Sequence, residues 1–194
     1  MGDSIWVMYD FPAFAPAFER GPLEVGAYMV LLNLSHDEAD AIRIVAACYQ
    51  AAEDKTSEVE NLLLSDLDRQ WRQGQVLGWR QQLVSCVALL VAEPPDRPLE
   101  ALVKAACDHS WVSPQILVTA SLADPPDWES RVEASILERE DAKAAAALVS
   151  IMPGSSAVSR ALASKDLERG DAIAQSWRGR ITSAFDAAGI DRTW

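Results

Sequence analysis

An all-α fold of stacked antiparallel helical hairpins is predicted by three features of this 194-residue sequence. Apolar residues recur at helical spacing along most of the chain. Helix-start signals, a serine or aspartate followed by acids or proline, stand just before those apolar stretches. No segment shows sustained strand alternation between hairpin-type turns. The length suits one domain with a sizeable core, spanning 1–194 and opened by an aromatic arm over 1–20.

The arm carries Trp6, Tyr9, Phe11, Phe14 and Phe18 around Pro12 and Pro16. Proline and the residue before it resist helix, so the arm is expected to be extended, its rings capping the core. Pro22 suits the first turn of a helix running to Leu34. In "SHDE", Ser35–Glu38, the hydroxyl can accept from the third helical N–H while Glu38 reaches back to the cap. The helix after it is predicted to align Ile42, Val45, Ala46 and Tyr49 on one face. "SEVE", Ser57–Glu60, repeats the box for a shorter helix through Leu64. Gly74 and Gly78 weaken the next stretch. From Trp79 onward, Leu83, Cys86, Val87 and Leu90 form an apolar stripe, with Arg80, Gln81, Gln82 and Ser85 opposite.

"EPPDRP" ends that helix, and Leu99, Leu102, Val103 and Ala106 form the next stripe, opposite Glu100 and Lys104. Ser113-Pro114 reads as a cap followed by a first-turn proline. The helix they start, "QILVTASLA", is apolar nearly all round and is predicted to be central. "DPPD", Asp124–Asp127, stops it, and Asp127 is expected to cap the helix carrying Trp128, Val132 and Ile136. An alanine-rich helix follows over about 141–151, broken by Pro153-Gly154. The last long helix, from Asp171, presents Ile173, Trp177, Ile181, Ala184 and Phe185, and Gly189 suits its C-terminal cap.

The breaks near Ser35, Ser65, Pro94, Pro125 and Pro153 are spaced by 30, 29, 31 and 28 residues. Stacked helical hairpins have such a period. The segment "LADPPDWESRVEASIL" resembles the HEAT-like repeat through Leu122, Asp124, Pro125, Arg131 and Ala134. That resemblance implies an α-solenoid in which Asp124 and Arg131 tie the turn to its neighbours. An irregular helical bundle is the alternative, because the 93–106 segment has Leu99 or Glu100 where the arginine would fall, and the first two intervals lack Asp-Pro.

Seventeen basic and 29 acidic residues give a net charge of −12. That balance disfavours nucleic acid and anionic lipid as partners, since both attract clusters of Lys and Arg. No apolar run is long enough to span a bilayer, and "MGDSIWVMYDF" lacks the basic start of a signal peptide. Cys48, Cys86 and Cys107 lie in apolar helical contexts without metal-like spacing. They are expected to be buried free thiols in a reducing cytoplasm.

Catalytic patterns are missing from the sequence. His36 sits in a helix cap and His109 at a helix end, neither with a second histidine at zinc-site spacing. There is no glycine-rich phosphate loop and no G-x-S-x-G elbow. The serines of "PGSSAVSR" are explained by capping. Acid pairs such as Asp37 with Asp40 would need burial to become an acid–base or metal site. Arg178, Arg180 and Arg192 are offset by Asp186 and Asp191. The chain is therefore expected to be no enzyme, with neither metal nor cofactor.

Residues 1–68 hold 13 acids and 3 bases, whereas 69–194 hold 16 and 14. The expected function is an acidic protein-binding module that occludes a basic partner. It resembles bacterial immunity proteins, which neutralise a toxin in the producing cell, in type and not in motif. Asp37, Glu38, Asp40, Glu53, Asp54, Glu58, Glu60, Asp66 and Asp68 are the candidate contact residues. The alternatives are an α-helical enzyme or cofactor-handling protein with a site between helix pairs, and a structural adaptor.

Overall fold

A computed structural model describes residues 14, 31–32, 38–54, 79–90, 96–107, 110–155 and 167–190. Among the described residues the fold is all-α, with no strand. Its helices are α1 (Glu38–Asp54), α2 (Trp79–Leu89), α3 (Asp96–Cys107), α4 (Ser113–Ala123), α5 (Trp128–Arg139), α6 (Ala142–Ile151) and α7 (Leu167–Ala187).

The centre is α4, as its all-round apolar sequence predicts. It touches α2, α3, α6 and α7, and every residue from Ser113 to Ala120 is buried. The hairpins α3–α4 and α5–α6 lie side by side, α3 against α5 and α4 against α6. The long α7 packs on α4 and α6 and also meets α1, while α1 meets α2. Helix α1 is thus held against α7, and α2, α3, α6 and α7 pack around α4.

The proline corner between α4 and α5 works through backbone as much as through capping. Asp124 adopts the left-handed region (φ 45°), and its N–H donates to Ala120 O at 2.9 Å. Pro125 disfavours right-handed helix at the residue before it, and aspartate tolerates the left-handed state better than most residues. Asp124 Oδ1 accepts the Trp128 indole N–H at 3.3 Å across the corner. Trp128, Val132 and Ile136 then enter the core as predicted.

Two expected caps are corrected. Asp127 occupies the N-cap position of α5, but at φ 57° its side chain makes no capping bond. A capping side chain usually needs an extended N-cap residue to aim at the first-turn N–H groups. Ser113 is the first residue of α4 and not its cap, which is Val112. The Ser113 hydroxyl instead donates to Ser110 O at 2.5 Å. Asp141, in extended backbone before α6, is a true cap: it accepts the Ala144 N–H at 3.0 Å.

Two helix faces also differ from expectation. In α1 the buried residues are Ala41, Ile44, Val45, Cys48 and Ala51, while Ala46 is exposed and Ile42 and Tyr49 are half-buried. In α2 every residue from Gln82 to Leu90 is buried, including Gln82 and Ser85 that were expected to face outward. Most of the expected stripes on α3 and α7 hold: Leu102, Val103 and Ala106, then Trp177, Ile181, Ala184 and Phe185, are buried, while Leu99 and Ile173 are half-buried.

Helices α6 and α7 approach closely. A Cβ at Gly170 would collide with the Lys143 carbonyl oxygen and stand 2.9 Å from Ala146 Cβ. The alanine-rich α6, buried from Ala144 to Leu148, supplies the flat partner surface. Gly189 (φ 68°) closes α7, with Ile190 N–H donating to Phe185 O and Gly189 N–H to Asp186 O, both at 3.1 Å. This double bond pattern satisfies carbonyls that the helix end would otherwise leave open.

The N-terminal part is tied in by side chains. Trp177 Nε1 donates to Leu31 O at 3.0 Å, and Gln115 Nε2 to Leu32 O at 3.4 Å. Phe14, from the aromatic arm, is fully buried in the same core. The other arm aromatics, Ser35, the Ser57 capping box and both histidines lie outside the described residues.

Candidate functional site

Four of the nine candidate contact residues fall on α1. Glu38 and Asp40 belong to its first turn, Glu53 and Asp54 to its last. Fifteen residue steps separate Glu38 from Glu53, about 22 Å along a helix. Between them, the exposed positions of α1 are Ala39, Arg43, Ala46 and Gln50, which carry no acid. Helix α1 therefore places its candidates in two groups, one at each end. Asp37, Glu58, Glu60, Asp66 and Asp68 lie outside the described residues.

A polar seam runs between α2 and α4 inside the core. Ser110 Oγ donates to Gln82 Oε1 at 2.5 Å, and the Val112 N–H donates to Ser110 Oγ at 3.3 Å. Thr119 Oγ1 donates to Gln115 O at 2.9 Å. Burial pushes the Cys86 thiol up to about 12, with a hydrogen bond to Thr119 pulling the other way. Burial alone pushes Cys48 up to about 12. Neither is a nucleophile at neutral pH, because the reactive thiolate is disfavoured. Cys107 is half-buried, more open than expected; all three cysteines are free. Among the described residues no group of three or more His, Cys, Asp and Glu could hold a metal ion.

The surface has one conspicuous corner, where α3 runs into α4 and α5 into α6. Trp111 is 56% exposed, the large exposed hydrophobic residue of the described surface. Lys143 donates to the Trp111 carbonyl and holds its ammonium 5.6 Å from the ring centroid, within cation–π range. Ser135 Oγ donates to Cys107 O at 2.6 Å, and Arg139 Nε donates to Ser135 O at 3.3 Å. Of these residues only Cys107 was singled out from sequence, as a buried thiol. An aromatic followed 32 positions later by a lysine is no local signal; the fold brings them together.

Arg131 forms a two-pronged pair with Glu100 of α3, at 2.8 and 2.7 Å. Its hydrogen bonds hold the Glu100 carboxyl below the usual glutamate range. Among the described hydrogen bonds, Arg131 thus reaches the neighbouring hairpin through Glu100, while Asp124 bonds Trp128. No helix among the described residues is long and apolar enough to cross a membrane.

Comparison of the chain with protein-family models, curated proteins and solved structures finds no match. The resemblance to HEAT-like repeats accordingly rests on the 122–137 segment alone.

Proposed function

We propose that this chain is an acidic protein-binding module of the immunity or inhibitor type, acting in the cytoplasm by occluding a basic partner. The observation that carries the reading is the charge skew: 13 acids against 3 bases in residues 1–68, and near balance in the rest. A field of one sign steers an oppositely charged partner and speeds encounter. The two acidic ends of α1 lie about 22 Å apart, a span that fits a standard interface of about 800 Å² per partner. Affinity would come from the surface buried between those ends, and specificity from the charge positions.

The test is charge reversal. Asp37, Asp40 and Glu58 are changed to Lys together, and association with the partner recovered by pull-down is followed by stopped flow at two salt concentrations. The expected result is slower association with a flatter salt dependence, because charges act at range on encounter and are screened within about 8 Å at physiological salt. An unchanged rate and salt slope, with the helical spectrum intact, would refute the reading.

A further inference from the structure

Arg139 closes α5, and its Nε bond to Ser135 O fixes the plane of the guanidinium. The end-on fork, Nη1 and Nη2, is buried and meets no acceptor among the described residues. An arginine at a helix end ordinarily carries its head out to water. Arg139 is half-buried, and its Nη1 and Nη2 do not reach water. A buried charge without a partner is strongly disfavoured, so the fork calls for an anionic acceptor. The acids beside it in sequence do not supply one. Asp141 accepts from the Ala144 N–H, while Glu138 and Glu140 are exposed.

Two parallel N–H donors in a plane match the two oxygens of a carboxylate. The surroundings favour a monoanion over a phosphate dianion. Glu138, Glu140 and Asp141 flank Arg139, and the chain carries −12, so each added negative charge meets more repulsion. A second cation belongs to the same corner. Lys143 reaches the carbonyl of Trp111, and Ser135, which holds Arg139, reaches the carbonyl of Cys107; these carbonyls flank the α3–α4 connection.

We propose that the Arg139 fork, at the corner it shares with Lys143, is a binding site for a carboxylate monoanion. The carboxylate is that of a free acid; a side chain of this chain seated in the fork is the alternative that the test excludes. The full chain is melted at pH 7 in sodium acetate, against sodium chloride of equal ionic strength, with sodium phosphate as the second anion.

The expected result is a saturable rise in melting temperature with acetate, about 3–6 °C at tenfold excess over the dissociation constant. Phosphate should give a smaller rise, and Arg139→Gln none. Arg139→Lys, which keeps the charge without the fork, should need at least roughly tenfold more acetate. A wild-type chain that ignores acetate, a Gln variant that responds like wild type, or a phosphate response as large as that of acetate each overturns the site. Arg139→Gln melting more than about 12 °C lower in chloride alone also overturns it, since loss of the Ser135 bond accounts for no more than that. Such a loss would mean that a carboxylate of the chain already fills the fork. Where Arg139→Gln does not fold, the Arg139 Nε–Hε resonance of the wild type decides. Movement that saturates with acetate supports the site, and a static resonance overturns it.

Discussion

Gly170 and Gly179 lie in the same helix, yet alanine at the two positions is expected to act in opposite directions. Both would gain the same intrinsic term, since glycine in a helix interior costs about 0.5–1 kcal/mol relative to alanine. At Gly179 nothing stands within 4 Å of the added Cβ, so Gly179→Ala should stabilise by that amount. At Gly170 the Cβ would overlap the Lys143 carbonyl oxygen and stand 2.9 Å from Ala146 Cβ. Carbon atoms pack best at about 3.5–4.0 Å, so α6 and α7 must separate by roughly 0.6 Å or more. Overpacking of this kind costs about 1–3 kcal/mol, and the obstacle is backbone that cannot rotate aside. The difference between the two variants should therefore be about 1–3 kcal/mol, or about 2–12 °C in melting temperature for a chain of this length. Urea unfolding of both variants, read by far-UV helix signal, measures it directly. Equal stability of the two, or a more stable Gly170→Ala, would show that the α6–α7 approach is not as close as described.

Two further outcomes follow from the pairing and the thiols. A double-mutant cycle on Glu100 and Arg131 should show coupling, and one on Asp124 and Arg131 none; the reverse would restore the turn tie that the HEAT-like resemblance implies. Cys48 and Cys86 stay protonated in the fold up to about 12, whereas an unfolded thiol ionises near 9. The unfolded state therefore holds fewer protons above pH 9, and stability should be complete below that pH and fall as pH rises toward 12. At pH 8 a thiol reagent should label Cys107 ahead of both, with Cys48 and Cys86 reacting only in denaturant; rapid labelling of all three would contradict their burial.

Where large side chains recur at helical spacing, the architecture was legible. Trp128, Val132 and Ile136, and Trp177, Ile181 and Phe185, mark their own buried faces. The central place of α4 was legible because its apolar residues leave no side for water. The face of α1 reads slightly askew because Ile42 and Tyr49 are larger than Ala41, Cys48 and Ala51. Close helix packing prefers the small residues, and that preference is decided by neighbours. Gln82 reads as surface because its partner, Ser110, is 28 positions away. Asp127 and Asp141 look equivalent in sequence, each one residue ahead of a helix. Only the backbone separates them: φ 57° turns one side chain away from the helix, and φ −75° aims the other at Ala144. Of the candidate site, the acidic composition was legible and the division of α1 into two charged ends was a matter of counting. The buried fork of Arg139 was not, since an arginine in a last turn reads as a solvated charge.

The same charge partition has a consequence for how the molecule can be both acidic and folded. Self-repulsion among like charges weakens a compact state, and it grows where the charges crowd. Here the near-neutral part, residues 69–194, contains α2 to α7 and most of the core. Among the described residues, several neutral groups join the acidic third to that core. Leu31 and Phe14 are fully buried in it, Trp177 donates to the Leu31 carbonyl, and Gln115 donates to the Leu32 carbonyl. Bonds between neutral groups are little affected by salt, whereas encounter with a charged partner is strongly affected. Salt can thus tune the proposed capture of a basic protein without loosening the scaffold that presents the acids. The residues that anchor α1, Ile44, Val45 and Cys48, lie on its buried face and carry no charge.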